Sequence, residues 1–122
     1  MTKNLFLLGL CAALAAPVCH AHASLSRAEP AARSVMSVAP SRLRLRFNEA
    51  VEAKYSAIEL RGPDGVVTGS GPLSTPDPST LELPLPALPA GAYEVHYRVL
   101  SADGHVIEAG YRFSVKDAAA AR

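Results

Sequence analysis

Apolar and polar residues alternate strictly along several segments of this chain, and this alternation limits its fold more than any other feature. In Arg42–Phe47 the apolar residues all fall on one parity and the arginines on the other. Successive side chains of an extended strand point to opposite faces, so such a segment buries one face and exposes the other. Similar alternation occurs at 57–61, 81–85, 93–99 and 111–115. The chain is therefore predicted to form several short strands, each with one polar face.

Turn-forming residues separate these strands. Ten prolines and eight glycines occur among 122 residues, and no amphipathic helical pattern of useful length follows the first 21 residues. The cluster Gly62-Pro63-Asp64-Gly65 predicts a turn before a short strand at 66–68, and 69–79, with its three prolines, predicts a surface loop. Short antiparallel strands joined by such turns favour an all-β fold, namely a Greek-key β-sandwich or barrel of immunoglobulin-like or cupredoxin-like type.

The first residues have the pattern of an export signal. A lysine near the start precedes an apolar run over 5–16, which is too short to span a bilayer. Small residues at the first and last positions of Cys19-His20-Ala21 favour cleavage directly after this triplet, which would make His22 the first residue of the exported protein. A rival cut two residues later would leave Ser24 first. A signal peptide over 1–21 or 1–23 is predicted, and the residues alone leave both cuts open.

The rest of the chain suits one small domain, predicted over 22–117, with a flexible tail at 118–122. Both cysteines, Cys11 and Cys19, lie in the signal peptide, so the exported domain can form neither disulfides nor thiolate ligands. Without Lys3 it carries 11 basic and 11 acidic residues. This balance argues against nucleic acid as a partner, because phosphate binding needs clustered positive charge.

Three features of the exported domain could bind a metal ion. A free N-terminal His22 would offer its α-amine and its imidazole to one ion, and nitrogen donors in a roughly square arrangement favour Cu(II). Asp103 and His105 are two residues apart, so extended backbone points both side chains the same way, and Gly104 between them permits a turn. Glu49, at the end of a predicted strand, is the third feature. This set of nitrogen and oxygen donors suits Cu(II) better than Cu(I), for which the exported domain offers a single methionine.

Each of these features also has an ordinary structural explanation. An Asp-Gly pair is common in hairpin turns, Glu49 can be an exposed charge at a strand end, and a histidine can follow a cleavage site by chance. The residues alone leave ligand and structural roles open. His96 shares its parity with Glu94 and Arg98, so it is predicted to face solvent and not to bind the metal.

A family resemblance rests on three longer segments. In chain order they are His22-Ala23-Ser24-Leu25 with Glu29-Pro30-Ala31, then Leu43-Arg44-Leu45-Arg46-Phe47-Asn48-Glu49, then the run from Gly91 to Leu100-Ser101-Ala102-Asp103-Gly104-His105. Through them the chain resembles the CopC family of periplasmic copper-binding proteins over nearly its whole exported length. The resemblance implies a periplasmic Greek-key β-sandwich that holds one Cu(II) ion by an N-terminal histidine, an aspartate and a histidine. These match His22, Asp103 and His105. It also favours the cut that exposes His22 and keeps Glu49 as a weaker candidate ligand.

The resemblance further implies a carrier and not an enzyme. Such a protein sequesters Cu(II) in copper resistance or homeostasis, or delivers it to a membrane partner of the CopD type. Some family members carry a second, Cu(I) site on a methionine-rich loop, but 69–79 has no methionine or histidine, so we expect a Cu(II) site alone. Tyr97 stands where the family often has tryptophan, which changes packing more than chemistry.

Two other functions remain as alternatives. Lytic polysaccharide monooxygenases also hold copper by an N-terminal histidine and a second histidine. A histidine-brace oxidase of this kind needs a substrate face and an open copper position, whereas this chain has no tryptophan and an Asp103 ligand would occupy one position. A metal-free β-sandwich module is the interpretation that follows if cleavage leaves Ser24 first.

Overall fold

A computed structural model describes residues 24–117, which form two β-sheets. The predicted signal peptide, His22 and the predicted tail at 118–122 lie outside this range. The strands are β1 (Leu25–Glu29), β2 (Val35–Met36), β3 (Arg42–Phe47), β4 (Ala57–Arg61), β5 (Val67–Gly69), β6 (Thr80–Pro84), β7 (Gly91–Leu100) and β8 (Val106–Val115). One short 3₁₀ turn, Ala53–Tyr55, precedes β4, and no α-helix occurs within 24–117. Accordingly, this part of the chain has no helix that could cross a membrane.

The strand order is β1-β3-β6 in one sheet and β2-β8-β7-β4-β5 in the other. The chain changes sheet after β1, β2, β3, β5 and β6, so β3 pairs with β6 while β4 pairs with β7. This connectivity is that of a Greek-key β-sandwich. The predicted fold class is confirmed.

Alternation places the core as predicted. On β3 the leucines and the phenylalanine are buried while the arginines face outward. The inward residues of both sheets form one hydrophobic cluster: Leu43, Leu45, Phe47, Val51, Ile58, Leu60, Leu81, Leu83, Leu88, Tyr93, Val95, Tyr97, Val99, Phe113 and Val115. Tyr93 stacks on Phe113, and Phe47 meets Tyr97 edge to face with ring centroids 5.8 Å apart. Tyr97 therefore has the packing role expected of it.

Three elements differ from the prediction. The last strand begins at Val106 and not near 111, because the whole of β7 pairs with it in register from Gly91↔Val115 to Leu100↔Val106. Strands β1 and β2 were not predicted, since their residues do not alternate. The β2–β8 pair is parallel, whereas only antiparallel pairing was expected.

The loop predicted at 69–79 is largely correct. Gly69 belongs to β5, and most of the residues from 70 to 79 are exposed. Ser74 nevertheless exchanges two backbone hydrogen bonds with Glu82 of β6, at 3.0 and 2.9 Å. The loop thus covers the outer edge of β6.

Candidate metal centre

Asp103 and His105 lie in the tight turn that joins β7 to β8. The Ser101 N–H donates to the His105 carbonyl at 2.8 Å, and the Gly104 N–H donates to the Ser101 carbonyl at 2.9 Å. Gly104 has φ of +90°, a conformation that side-chain-bearing residues rarely adopt. The glycine between the two candidate ligands is therefore what closes this turn.

The turn brings the two candidate side chains together. Asp103 Oδ1 lies 3.1 Å from His105 Nδ1, as expected from residues two apart on the same side. The Asp103 side chain is 37% exposed and that of His105 is 54% exposed. Both therefore remain accessible to an ion from solvent.

Ser101 fixes the Asp103 carboxylate. This serine is buried, and its hydroxyl donates a hydrogen bond to Asp103 Oδ1. The Ser101 bond, followed by hydrogen bonds from His105, lowers the pKa of Asp103 to about 2. The carboxylate is consequently ionised at neutral pH, which a metal ligand requires.

Glu49 follows the end of β3, and the hydrogen bonding of its carboxylate is unusual. Its Oε1 atom is buried and accepts no hydrogen bond from any residue within 24–117. A buried carboxylate oxygen is ordinarily hydrogen-bonded, so this atom has an open acceptor position. Glu49 was the weakest of the candidate ligands, and this observation is the structural argument for keeping it.

The chain around Glu49 joins the start of the described range to the β7–β8 turn. On one side the Asn48 N–H donates to the Ser24 carbonyl at 2.9 Å, and on the other the Ala102 N–H donates to the Ala50 carbonyl at 2.9 Å. The antiparallel bridge Val51↔Ser101 continues this second contact. Ser24, the 48–50 segment and the Asp103 turn therefore lie side by side at one end of the sandwich.

The described residues do not complete a metal site by themselves. No group of three or more histidine, aspartate or glutamate residues within 24–117 is placed to hold an ion. Asp103 and His105 form a pair to which a further donor would have to be added. His22 is two residues before Ser24 in the sequence and lies outside the described range, so its role as a ligand stays a prediction.

His96 lies on the outer face of the five-stranded sheet. Its Nε2 atom is 2.9 Å from Glu94 Oε1, and its side chain is 44% exposed. The prediction that His96 faces solvent is confirmed. It lies among polar side chains of the sheet surface, including Glu94, and is separate from the Asp103 turn.

Sequence reasoning missed two residues of this region, Ser101 and Asn48. Ser101 had a usable signal, because serine and aspartate commonly bond to the backbone and to each other within turns. Asn48 had none, since its side chain accepts from the Ser24 N–H at 2.6 Å, a contact between residues 24 positions apart.

Comparison with known proteins gives a consistent result. A model of the CopC domain matches residues 25–116. Protein YobA of Escherichia coli K12 is 36% identical over 110 residues, which cover 88% of this chain and 89% of that protein. Copper resistance protein C of Escherichia coli is 33% identical over 106 residues, covering 79% and 82%.

Solved structures agree with the sequence matches. The crystal structure of CopC from Methylosinus trichosporium OB3b has a TM-score of 0.74 and 36% identity, covering 79% of this chain and 95% of that chain. PcoC, a methionine-rich copper resistance protein from Escherichia coli, has a TM-score of 0.64 and 32% identity, covering 79% and 100%. Both similarities span most of the described sandwich.

Proposed function

This chain belongs to the CopC family of copper-resistance proteins, and from that premise we propose that it is a periplasmic carrier of one Cu(II) ion. The ion would be held by the His22 amine and imidazole, the Asp103 carboxylate and the His105 imidazole. The protein would sequester copper or deliver it to a membrane partner of the CopD type.

The observation that carries this proposal is the Asp103–His105 pair in its turn. An ionised carboxylate and an imidazole stand 3.1 Å apart, open to solvent, beside the segment that binds Ser24. Among the common divalent ions, Cu(II) binds most tightly to a set of nitrogen donors with one carboxylate oxygen. The Glu49 carboxylate, which has an open acceptor position, is a weaker candidate ligand at this end of the molecule.

Capture of the ion would be a competition with protons. Copper displaces the proton of the α-amine and needs unprotonated imidazole nitrogen, whereas the Asp103 carboxylate is already ionised. The protein's contribution is to hold Asp103 and His105 in one orientation before the ion arrives. This preorganisation lowers the cost of ordering the ligands on binding.

A carrier is preferred to an oxidase because of Asp103. The carboxylate is charged and lies beside His105, so it is available to the copper as a fourth donor after the three nitrogens. A site of this kind favours retention of the ion over an open position for oxygen. We propose no catalytic step.

The test combines the N-terminus with copper binding. Intact mass of the exported protein should begin at His22, and Cu(II) titration followed by electron paramagnetic resonance should give one nitrogen-rich site per chain. A form beginning at Ser24 should lose that signal, while a His96→Ala variant should keep it. A natural mass beginning at Ser24, or a signal indifferent to His22, would overturn the proposal.

A further inference from the structure

We infer that Asn48 is a positioning residue for copper capture, whose side chain holds Ser24 in place. This inference rests on the proposed Cu(II) site. Asn48 does not bind the ion. It acts through Ser24, two residues after the proposed ligand.

The hydrogen bonds at Ser24 are arranged unusually. In a regular antiparallel ladder, two opposed residues exchange both bonds through their main chains. In this protein the Asn48 N–H donates to the Ser24 carbonyl at 2.9 Å, but the Ser24 N–H donates to the side-chain Oδ1 of Asn48, at 2.6 Å. The amide side chain has replaced the main-chain carbonyl in this last pair.

This replacement leaves the chain after β3 free to turn toward the β7–β8 hairpin. Two residues beyond Asn48, the Ala50 carbonyl accepts from the Ala102 N–H at 2.9 Å. One short segment therefore holds Ser24 through Asn48 and the Asp103 turn through Ala50. The distance between Ser24 and the Asp103 turn is set by this segment.

Chain length makes the position of Ser24 decisive. Two residues span at most about 7 Å, so the place of Ser24 limits the part of the surface at which a ligand two residues earlier could act. The ladder nearby is weak, because β1 is an edge strand with a register irregularity between Leu25 and Arg27. The Asn48 side chain thus bonds to Ser24 next to the part of β1 where the strand pairing is least regular.

The affinity of the complete protein should depend on this bond. Without it, Ser24 loses a preformed contact, and its place must be ordered when copper binds. A single neutral hydrogen bond of this kind corresponds to a change of about threefold to tenfold in a binding constant. Asn48→Ala should weaken Cu(II) binding by that factor.

The experiment is a double-mutant cycle in the exported protein beginning at residue 22. Cu(II) affinity is measured by competition with a chelator for the unchanged protein, Asn48→Ala, His22→Ala and the double variant. The loss caused by Asn48→Ala should be larger with His22 present than with His22→Ala. Hydrogen exchange of the Ser24 amide in the copper-free protein should be faster in Asn48→Ala.

A matched control is available at the opposite end of the sandwich. The Val66 N–H donates to Asp64 Oδ1 at 3.0 Å in the β4–β5 turn, also an exposed side-chain to backbone bond. Asp64→Ala should leave Cu(II) affinity unchanged. An unaltered affinity in Asn48→Ala, or an equal loss with and without His22, would overturn this inference alone. Absence of His22-dependent binding in the unchanged protein would overturn the proposed function, and this inference with it.

Discussion

The buried Ser101 hydroxyl orients the Asp103 carboxylate, a candidate ligand, and keeps it ionised. Its single proton is donated to the Asp103 carboxylate, its oxygen accepts from the His105 N–H at 3.2 Å, and the His105 carbonyl oxygen also lies 3.2 Å away. Only Ser101 of these three residues is buried. A buried residue thus holds the turn, while the two candidate ligand side chains remain at the surface.

The first prediction concerns the charge of Asp103. Because the Ser101 hydroxyl is the largest cause of the lowered pKa, Ser101→Ala should move the pKa of Asp103 up from about 2 toward its usual value of 3.8. A lowered folded-state pKa gives stability that is present above the unfolded value and lost as pH falls through the folded one. Asp103 should therefore contribute less stability at neutral pH in the variant, and what remains should be lost at a higher pH. Carbon-13 NMR titration of the Asp103 carboxyl checks this, and an unchanged midpoint contradicts it.

The second prediction concerns the proposed ligands. Asp103→Asn and His105→Ala should each weaken Cu(II) binding by at least the roughly 10- to 100-fold expected even for outer partners of a metal site. His96→Ala removes a comparable exposed histidine on the outer sheet face and should have no effect. Competition titrations at fixed pH make the comparison. Equal effects from His96 and His105 would show that surface imidazoles bind copper without a formed site.

At the level of elements, the strands that were predictable are those whose burial is one-sided. Arg42–Phe47 and the inner residues of β7 alternate because each side faces a different medium. The first half of β8 contains Glu108, Ala109 and Gly110, which show no such alternation and become strand only because β7 pairs with them. Strand β1 depends likewise on its partner β3. Pairing between distant segments is not encoded in local periodicity.

The same distinction applies to the candidate site. Asp103 and His105 could be placed together from their spacing, because the relation is local. The adjacency of Ser24, Asn48 and Ala102 comes from the packing of three distant segments. No pattern within any one segment predicts it.

The third prediction tests the packing of β8 on β7. A Cβ at Gly110 would lie 2.6 Å from the Val95 carbonyl oxygen and 3.5 Å from His96 Nδ1. Backbone cannot move away cheaply, so Gly110→Ala should lower the free energy of unfolding by about 1–3 kcal/mol. Glu108→Ala on the same strand changes an exposed residue and should stay within about 0.5 kcal/mol. Urea unfolding of both variants checks this, and equal midpoints would contradict it.

Over the whole molecule, the buried tyrosines tie ionisation to unfolding. Burial raises the pKa of Tyr93, Tyr97 and Tyr111, and the Tyr111 hydroxyl has no hydrogen-bond partner within 24–117. A raised folded-state pKa gives stability that is present below the unfolded value of about 10 and lost as pH rises through the folded one. Ionisation of these tyrosines should therefore accompany alkaline unfolding.

The fourth prediction follows from this coupling. In a Tyr55→Phe background, which removes the exposed tyrosine, absorbance at 295 nm should rise together with the loss of the β-sheet circular dichroism signal. A gradual rise near pH 10 with the circular dichroism unchanged would show that the three rings are accessible in the folded state.

The last prediction links copper to global stability. The proposed ligands lie before β1 in the sequence and in the β7–β8 turn, and β1 and the β7–β8 pair belong to different sheets. An ion held by both groups should bind the folded chain more tightly than the unfolded one, in which the His22 amine and imidazole remain but the turn no longer holds Asp103 and His105 together. Free Cu(II) at about 100 times its dissociation constant should then stabilise the fold by at most about 2.7 kcal/mol, or on the order of 10 to 20 °C in Tm. His22→Ala should reduce the shift at the same copper concentration, since it removes one of the linked ends without altering the sandwich core. An equal copper-induced change in Tm in the two proteins would mean that His22 has no part in holding the ion.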